Sequence, residues 1–352
     1  MEAQITSTAQ LPATRAIFRR FKQTSQLPNS LKFRSLSSST CIKCVRSDIK
    51  SNVPSKRMFI LGMGYVAQFF AQDFLNDGWD VSGTCTNITK KMELEKKGFH
   101  VHVFDAFHPE WEILDIMSGY THLLVSVPPF ENVGDPVLQH DDYLRTRLVG
   151  GNLRWLCYLS STSVYGDSEG AWVDEDYPPK PSNDLAKMRL RAEEGWSKLG
   201  HDLGLSTYVF RLGGIYGSGR SAIDTILKKE QLSARQKRRT SRNFTSRIHV
   251  ADICQALRAS ISMEFQSSKI YNVVDDDPAS RAEVFEFAQQ LIKTRWPDLV
   301  TTNDTPLERT QATGGEKRVS NGRMKKELCV KLLHPSYRSG LQCIIDHMPD
   351  PI

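Results

Sequence analysis

A short glycine-containing segment offers backbone groups that could bind a phosphate. Residues 62–67 read Gly-Met-Gly-Tyr-Val-Ala, which is the spacing GxGxxA. They follow the apolar run at 57–61 and open a stretch with apolar residues at helical spacing. In this context the first glycine permits a tight turn, the second lets a diphosphate approach the backbone, and the alanine keeps helix and strand close. Free N–H groups at the helix start then favour a negative charge. The candidate dinucleotide contacts of this segment are Gly62, Gly64, Tyr65, Val66 and Ala67.

The end of the next predicted strand bears on which nicotinamide dinucleotide binds. A carboxylate at this point typically accepts a hydrogen bond from the ribose 2′-hydroxyl of NAD. Residues 83–87 read Gly-Thr-Cys-Thr-Asn and contain no carboxylate, while Lys90 and Lys91 follow. We therefore expect NADP to be preferred over NAD. The further candidate cofactor contacts are Thr84, Thr86, Asn87, Asp105, Val127 and Pro128. For Asp105, a contact with the adenine amino group and a helix N-cap are both open.

Predicted strands and helices alternate from residue 57 to residue 211. The predicted strands are 57–61, 79–84, 99–104, 121–127, 153–160 and 205–211, and the predicted helices are 65–77, 88–97 and 184–199. Such alternation is typical of parallel βαβ units with helices on both sheet faces. The fold class is therefore α/β, with a doubly wound parallel sheet (Rossmann) over residues 56–212.

Residues 213–352 are expected to form a small mixed α/β substrate lobe with elements that return to the core. Its predicted elements are helices at 249–264 and 280–293 and a strand at 269–274. Ligands of doubly wound sheets bind at the carboxyl ends of the strands, over which such a lobe would close.

The basic charge of the chain resides in its first 50 residues. The whole chain has 352 residues and a formal net charge of +6. Residues 1–50 hold nine basic and two acidic residues, so the remainder carries a net charge of −1. A basic, hydroxyl-rich, acid-poor leader is typical of a transit peptide, so we expect residues 1–50 to be disordered and to address the chloroplast stroma rather than the mitochondrion. The charge distribution gives no support for nucleic-acid binding, and no apolar run of about 18 residues predicts a membrane span.

Four further segments occur in the order known from one enzyme family. They are residues 160–166 (SSTSVYG), 211–220 (RLGGIYGSGR), 247–253 (RIHVADI) and 271–273 (YNV). They resemble the corresponding segments of the extended short-chain dehydrogenases/reductases, the NAD(P)-dependent epimerase/dehydratase-like group. Residues 127–129 (VPP) and 317–321 (KRVSN) resemble an atypical branch of it. The resemblance covers about residues 57–345 and implies a nicotinamide dinucleotide, oxidoreductase or epimerase chemistry on a small-molecule substrate, and a homodimer.

The resemblance also implies a catalytic serine followed by a tyrosine and a lysine at YxxxK spacing. Ser161 matches the serine, but residues 181–194 contain no tyrosine. Aligning on Glu193 puts Leu185 at the tyrosine and Arg189 at the lysine position, whereas aligning on Lys187 puts Asn183 at the tyrosine position. The catalytic candidates are Ser161, Thr162, Tyr165, Lys187 and Arg189, and the substrate candidates are Arg211, Arg220, Arg247 and His249.

Three interpretations of this departure are open. An enzyme could recruit another acid near the site, such as Tyr165, Tyr177 or Asp184. Alternatively, Ser161 and Thr162 could polarise a carbonyl in a reaction that needs little proton transfer. A dinucleotide-binding sensor or structural protein without turnover is the third. The substrate is expected to be small and polar and could carry a nucleotide or phosphate. The basic run at 228–242 would then either hold a diphosphate or be a solvated loop, and His249 would either face the cleft or start a helix.

Overall fold

A single parallel sheet organises the part of the chain that the structure describes. The computed structural model describes residues 56–110, 112–228, 243–263, 268–299 and 316–350, all within the unit Asn52–Ile352. The expected transit peptide at 1–50 and the basic run from residue 229 onward lie outside these ranges.

Seven strands form the central sheet in the order β3-β2-β1-β4-β5-β7-β10, and every pair is parallel. The strands of the chain are β1 Arg57–Leu61, β2 Asp80–Cys85, β3 His100–Val103, β4 His122–Val125, β5 Trp155–Ser161, β6 Trp172–Val173, β7 Ser206–Leu212, β8 Gly214–Tyr216, β9 Arg247–His249, β10 Ser268–Val273 and β11 Arg318–Val319. The inner strands β1, β4 and β5 are almost wholly buried, because both faces of a doubly wound sheet are covered.

Helices cover both faces of this sheet. They are α1 Tyr65–Asn76, α2 Ile88–Glu95, α3 Glu112–Ser118, α4 Asp141–Leu148, α5 Asp184–Asp202, α6 Ala222–Leu227, α7 Val250–Ile261, α8 Arg281–Arg295, α9 Gly322–Glu327 and α10 Tyr337–Asp346. One apolar cluster joins the sheet to α1 and α7, for example through Phe70 and Leu257. A second joins the opposite face to α3, α4 and α5, for example through Met117 and Trp196. Short 3-10 turns lie at Leu138–His140, Thr162–Tyr165 and Pro297–Leu299.

The carboxyl-terminal part contributes to the sheet and also builds a smaller core. Strand β10 lies beside β7, with Tyr271 opposite Phe210, and so completes the sheet. Helices α6, α8 and α10 enclose a separate apolar cluster that includes Ile223, Ala288 and Ile344. Two short parallel ladders, β8 with β9 and β6 with β11, connect the loops at the carboxyl edge of the sheet.

The predicted fold class is confirmed, and the predicted elements lie within a few residues of the observed ones. The sequence did not indicate α3, α4, α6, α9, α10, the ladder of β8 with β9 or the ladder of β6 with β11. Most of these elements are short, and short elements give weak periodic patterns. Within the described ranges, no helix combines the length and the apolar character that a membrane crossing requires.

Candidate functional site

The loop after β1 is held against two neighbouring strands. Gly62 has a φ of 92°, a left-handed conformation that side chains other than glycine rarely adopt. Its N–H donates to Thr84 Oγ1 at 2.9 Å, and the N–H of Met63 donates to the Thr84 carbonyl at 2.8 Å. A Cβ on Gly62 would lie 3.0 Å from Val127 Cγ2. The turn therefore needs a glycine at position 62, both for its conformation and for its close contact with Val127.

Gly64 leaves the start of α1 open. It is the N-cap residue of that helix, and no side chain caps the first N–H groups. A Cβ built on Gly64 would meet only Ser126 Oγ within 4 Å, at 3.9 Å. Uncapped N–H groups at a helix start attract anions, and the absence of a side chain at this point lets a ligand approach the backbone. The geometry fits a diphosphate at residues 64–67.

The polar residues at the end of β2 divide into two groups. Thr84 is buried, and its hydroxyl accepts the hydrogen bond from Gly62, so this candidate cofactor contact shapes the loop from behind. Thr86 and Asn87 are exposed. Asn87 Oδ1 accepts from the N–H of Lys90 at 2.8 Å and caps α2, while its Nδ2 donates to Thr86 Oγ1 at 3.4 Å. Of the three candidate contacts at the end of β2, Thr86 and Asn87 are therefore the exposed ones.

Asp105 caps a turn. Its Oδ1 accepts from the N–H of Phe107 at 2.9 Å, and its Oδ2 lies 3.2 Å from His108 Nδ1. These hydrogen bonds lower the pKa of the exposed Asp105 carboxyl. One interpretation expected Asp105 to cap a helix, but no helix begins beside it. Its contact with adenine stays a prediction.

Ser161 and Thr162 line a small cavity at the carboxyl ends of β5 and β7. Ser161 ends β5, and its Oγ accepts from the N–H of Ser163 at 3.2 Å. The cavity has a volume of about 80 Å³. Its described lining consists of Ser161, Thr162, Ser163, Gly213, Gly214, Phe244, Thr245, Ser246, Lys317 and Val319. Two of the predicted catalytic residues therefore share one polar cavity, with a lysine that the site prediction did not include.

Tyr165 is wrong as a candidate catalytic acid. Its side chain is 0% exposed, and its hydroxyl donates to Asn272 Oδ1 at 2.8 Å. Burial raises the pKa of this phenol, although the nearby Arg211 guanidinium opposes that shift. A hydroxyl enclosed in this way cannot exchange a proton with a substrate in the cleft.

Arg211 is wrong as a substrate contact for a similar reason. Arg211 and Glu193 are each 3% exposed, and Arg211 Nη2 lies 2.7 Å from Glu193 Oε2. Ser160 Oγ donates to Glu193 Oε1 at 2.5 Å. This group ties α5 to β5 and β7 inside the core, so the arginine holds the scaffold and does not face the cleft.

The two possible alignments of α5 place different residues at its surface. Lys187 Nζ lies 3.1 Å from Asp184, and the lysine side chain is 54% exposed. The alignment on Lys187 would therefore put the lysine of an exposed ion pair in the lysine role, and that role stays a prediction. Asn183 caps α5 by accepting from the N–H of Ala186 at 3.0 Å. Leu185 and Arg189, from the alignment on Glu193, are both half-buried.

His249 is a helix cap and not a substrate contact. It is 8% exposed, and its Nδ1 accepts from the N–H of Ala251 at 3.2 Å at the start of α7. Burial, followed by the charge of the neighbouring His334, lowers the pKa of His249 to about 3. The ring is therefore neutral at physiological pH. Of the two alternatives for His249, facing the cleft or starting a helix, the structure shows the second.

A larger cavity of about 390 Å³ collects positive charge in the carboxyl-terminal part. Arg220, Arg247 and Arg281 line it. Arg247 Nη1 donates to the carbonyls of Thr245 and Ala279, each at 2.7 Å. Arg281 has a buried Nε with no hydrogen-bond partner among the described residues. Burial, and then the charge of Arg247, lowers the pKa of Arg281 to about 10.

The neighbouring guanidiniums of Arg247 and Arg281 in a polar cavity favour an anionic ligand. One carboxylate, Asp224, also lines the cavity, and Ser221 Oγ donates to it at 2.5 Å. Of the substrate candidates, Arg220 and Arg247 line this cavity, and their contact with a substrate stays a prediction. The sequence missed Arg281, because the residue lies at the start of an ordinary amphipathic helix and carries no motif.

The glycine loop and the arginine cavity are adjacent. Tyr65 Oη donates to the carbonyl of Ser218 at 3.0 Å, and Arg220 Cζ lies 5.3 Å from the centre of the Tyr65 ring. The two cavities also share Gly214 and Thr245 in their linings. A cofactor on the loop and a substrate in the cavities would therefore meet at one edge of the sheet.

Comparison with curated proteins gives a partial match. No family model matches the chain. Protein YeeZ of Escherichia coli K12 is 28% identical over 172 residues, which are 47% of this chain and 61% of that protein. The aligned part thus spans less than two thirds of that curated relative.

Solved structures extend the likeness over most of the described chain. A conserved protein of unknown function from Silicibacter pomeroyi is 32% identical, with a TM-score of 0.64 over 82% of this chain and 98% of that one. UDP-glucuronic acid 4-epimerase from Bacillus cereus, solved with UDP-glucuronic acid and NAD, has a TM-score of 0.65 at 14% identity, over 83% and 98% of the two chains. A parallel seven-stranded sheet and a glycine loop open at its helix start give this chain the fold of solved NAD-dependent epimerases and dehydratases, and its 32% identity over 98% of the Silicibacter pomeroyi protein makes those two chains relatives.

Proposed function

We propose that this protein is an NAD(P)-dependent enzyme of the oxidoreductase or epimerase type, acting on a small polar substrate that carries a phosphate or nucleotide. One observation carries the proposal. The open start of α1, the hydroxyl-lined cavity at Ser161 and the arginine-lined cavity all lie at the carboxyl edge of the same sheet, and the two cavities share lining residues. Ligands of such folds bind at this edge.

Each part of the site has a distinct task in this proposal. A nicotinamide dinucleotide, when bound, supplies or accepts a hydride. The N–H groups at the start of α1 bind its diphosphate, and the bare Gly64 lets it approach. Ser161 and Thr162 offer hydroxyl groups to an oxygen of the substrate. Arg281 and Arg220 offer guanidinium groups to a phosphate of the substrate.

We further propose that NADP is preferred over NAD. Thr86 and Asn87 are the exposed polar residues after β2, and no carboxylate there would repel a 2′-phosphate. Lys90 and Lys91 add positive charge in the first turn of α2, although they also pair with Glu93 and Glu95. The absence of a carboxylate directly after β2 thus supports the preference for the phosphorylated ribose.

Titration of the full chain with NADPH and NADH, followed by nucleotide fluorescence, tests both statements. We expect a lower Kd for NADPH than for NADH.

Gly64→Asp should raise the Kd for NADPH by about 100-fold, because like charges placed together cost several kcal/mol. Gly64→Ala should fold normally, since φ is −78° and the site for a Cβ is open, yet weaken binding. Gly322→Ala is the matched control, because the residue starts α9 and its Cβ would meet only Ser320 Oγ, at 3.4 Å. Equal affinity in all variants would refute binding at the loop, and tighter binding of NADH would refute the preference.

A dinucleotide-binding protein without turnover is the second candidate. The enclosed hydroxyl of Tyr165 and the lack of a tyrosine in residues 181–194 favour it. Oxidation of NADPH in the presence of phosphate-bearing aldehydes and ketones discriminates between the two. Consumption of NADPH that depends on Ser161 and Thr162 would exclude this second candidate.

A further inference from the structure

The segment 316–320 is anchored over the hydroxyl-lined cavity from two sides. On one side, the N–H of Ser168 donates to the Glu316 carbonyl at 2.9 Å, and the N–H of Ser320 donates to the Val173 carbonyl at 2.8 Å. On the other side, the N–H of Val319 donates to Ser246 Oγ at 3.1 Å. The ladder of β6 with β11 completes this attachment. The backbone of Lys317, between these contacts, is therefore held in a defined place.

Lys317 is one of the residues that line the cavity. Its Nζ donates to the carbonyl of Gly166 at 2.8 Å. Gly166 is the last residue of the segment 160–166, which also contains Ser161. The lining of this cavity, within the described ranges, contains several hydroxyls and two glycines, and Lys317 is its single ionisable side chain. A lysine thus lines the same small polar cavity as Ser161 and Thr162.

No phenol is available for proton exchange at the positions where the family resemblance implies one. Leu185 and Asn183 occupy the tyrosine position in the two alignments, and Asn183 is engaged as a helix cap. Tyr165 is enclosed in the core. A carbonyl reduction that protonates the substrate oxygen in this site would therefore need another acid beside Ser161.

We propose that Lys317 supplies the proton to the substrate oxygen in this site, in the place of that phenol. The proposal rests on the proposed function. In the reductive direction, the carbonyl carbon of the substrate gains a hydride from the reduced nicotinamide, and the electron pair of the C=O π bond moves to oxygen. That oxygen forms an O–H bond with a proton of the Lys317 ammonium group, which becomes a neutral amine and regains a proton from water. The reverse direction removes the same proton and hydride.

The sizes of the two cavities fit this division of tasks. The cavity at Lys317, of about 80 Å³, has room for a carbonyl and a few neighbouring atoms only. The adjoining cavity of about 390 Å³ holds the arginines. The shared Gly214 and Thr245 let one substrate reach both. Lys317 therefore faces the reacting oxygen, and the phosphate lies with the arginines.

Amine acetylation of the full chain, read by peptide mass spectrometry, tests the placement without knowledge of the substrate. We expect NADP⁺ at about 10 times its Kd to slow acetylation of Lys317 about tenfold, the mass-action limit for a lysine reactive only in the free protein. 2′-Phospho-ADP-ribose, which lacks the nicotinamide, should protect Lys317 less. Lys187 is the internal control and should react equally in all samples, since it lies in an exposed ion pair.

The outcomes separate this inference from the proposed function. If fluorescence shows that NADPH binds while Lys317 stays unprotected, the inference is wrong and the proposed function stands. Protection of Lys187 instead of Lys317 would overturn the inference in favour of the alignment on Lys187. If no nicotinamide dinucleotide binds, the proposed function fails and this inference fails with it.

Two variants test the chemical role. Lys317→Arg keeps the positive charge and a donor for the Gly166 carbonyl, but a guanidinium does not release its proton. Lys317→Met removes the charge and the donor. Both should bind NADPH as the wild type does, and both should reduce the turnover of a carbonyl substrate by about 10²–10⁴-fold, the usual contribution of general acid catalysis. Full activity of Lys317→Arg would show that the charge or the Gly166 contact suffices, and would overturn proton donation.

Discussion

Arg211 shows how a residue within a functional motif can serve the core. Its guanidinium donates to Glu193 from both Nε and Nη2, and Ser160 donates to the same carboxylate. The Arg211 Cζ also lies 4.9 Å from the centre of the Tyr165 ring. The loss of one partner of an interior ion pair leaves the other charge buried and uncompensated. The residues that flank Ser161 thus depend on this pair for their position.

Glu193→Gln should therefore destabilise the fold strongly. We expect the free energy of unfolding to fall by about 3–5 kcal/mol, the cost of an uncompensated buried charge. Urea unfolding followed by circular dichroism measures it. Arg147→Gln is the control, because its ion pair with Asp115 joins side chains that are 45% and 55% exposed, and its removal should cost less than about 1 kcal/mol. Similar losses in both variants would contradict the structural role assigned to Glu193.

The start of α1 differs from that of most helices in this fold. Polar side chains cap α2, α5, α6, α7, α8 and α10, namely Asn87, Asn183, Ser221, His249, Ser280 and Ser336. Helix α1, like α4 and α9, has no side-chain cap, and its N-cap residue is a glycine. A side-chain cap would compete with a ligand for the first N–H groups. The cap is therefore absent where the diphosphate is expected.

The imidazole cap of α7 should make stability depend on pH. Folding lowers the pKa of His249 to about 3, whereas an unfolded histidine titrates near 6.5. Between these values the unfolded chain binds the extra proton, so stability falls as the pH decreases from about 6.5 to about 3. His249→Asn keeps a cap acceptor without the titration. We expect the urea midpoint of the wild type to fall more steeply than that of the variant between pH 6.5 and pH 4. Parallel profiles would contradict a neutral, buried His249.

At the scale of the whole molecule, the sheet edge and the carboxyl-terminal part together enclose the candidate substrate site. Strands β8 and β9 and helices α6, α8 and α10 all contribute lining to the arginine cavity, and Arg281 brings to it a buried charge with an unpartnered Nε in the described structure. A phosphate group bound there would reduce the repulsion between Arg281 and Arg247.

Inorganic pyrophosphate should therefore stabilise the full chain. We expect it to raise the melting temperature of the wild type, since a ligand that binds only the folded state stabilises it by mass action. Arg281→Gln should lose most of this shift. Arg338→Gln is the control, because its guanidinium pairs with Asp277 on the surface. An equal shift in all three proteins would indicate nonspecific salt effects and would contradict the site.

The sequence predicted the scaffold more successfully than the roles of its polar residues. The alternation of strands and helices identified the central sheet, and the context of Gly62 and Gly64 identified the loop that the structure leaves open. Tyr165, Arg211 and His249 belong to recognisable motifs, yet all three lie in the interior. Lys317 belongs to a segment that was noted only as a resemblance, and Arg281 belongs to none.

The sequence by itself determined the α/β class, the glycine loop and the absence of a carboxylate after β2. These features depend on local backbone conformation, on hydrophobic periodicity and on residue identity, which neighbouring residues set. Only the tertiary structure decided which polar groups face the cleft. Lys317 reaches the Gly166 carbonyl across 151 positions of chain, and Tyr165 reaches Asn272 across 107. Burial depends on such long-range packing, because the same side chain can line a cavity or fill a core according to the elements that cover it.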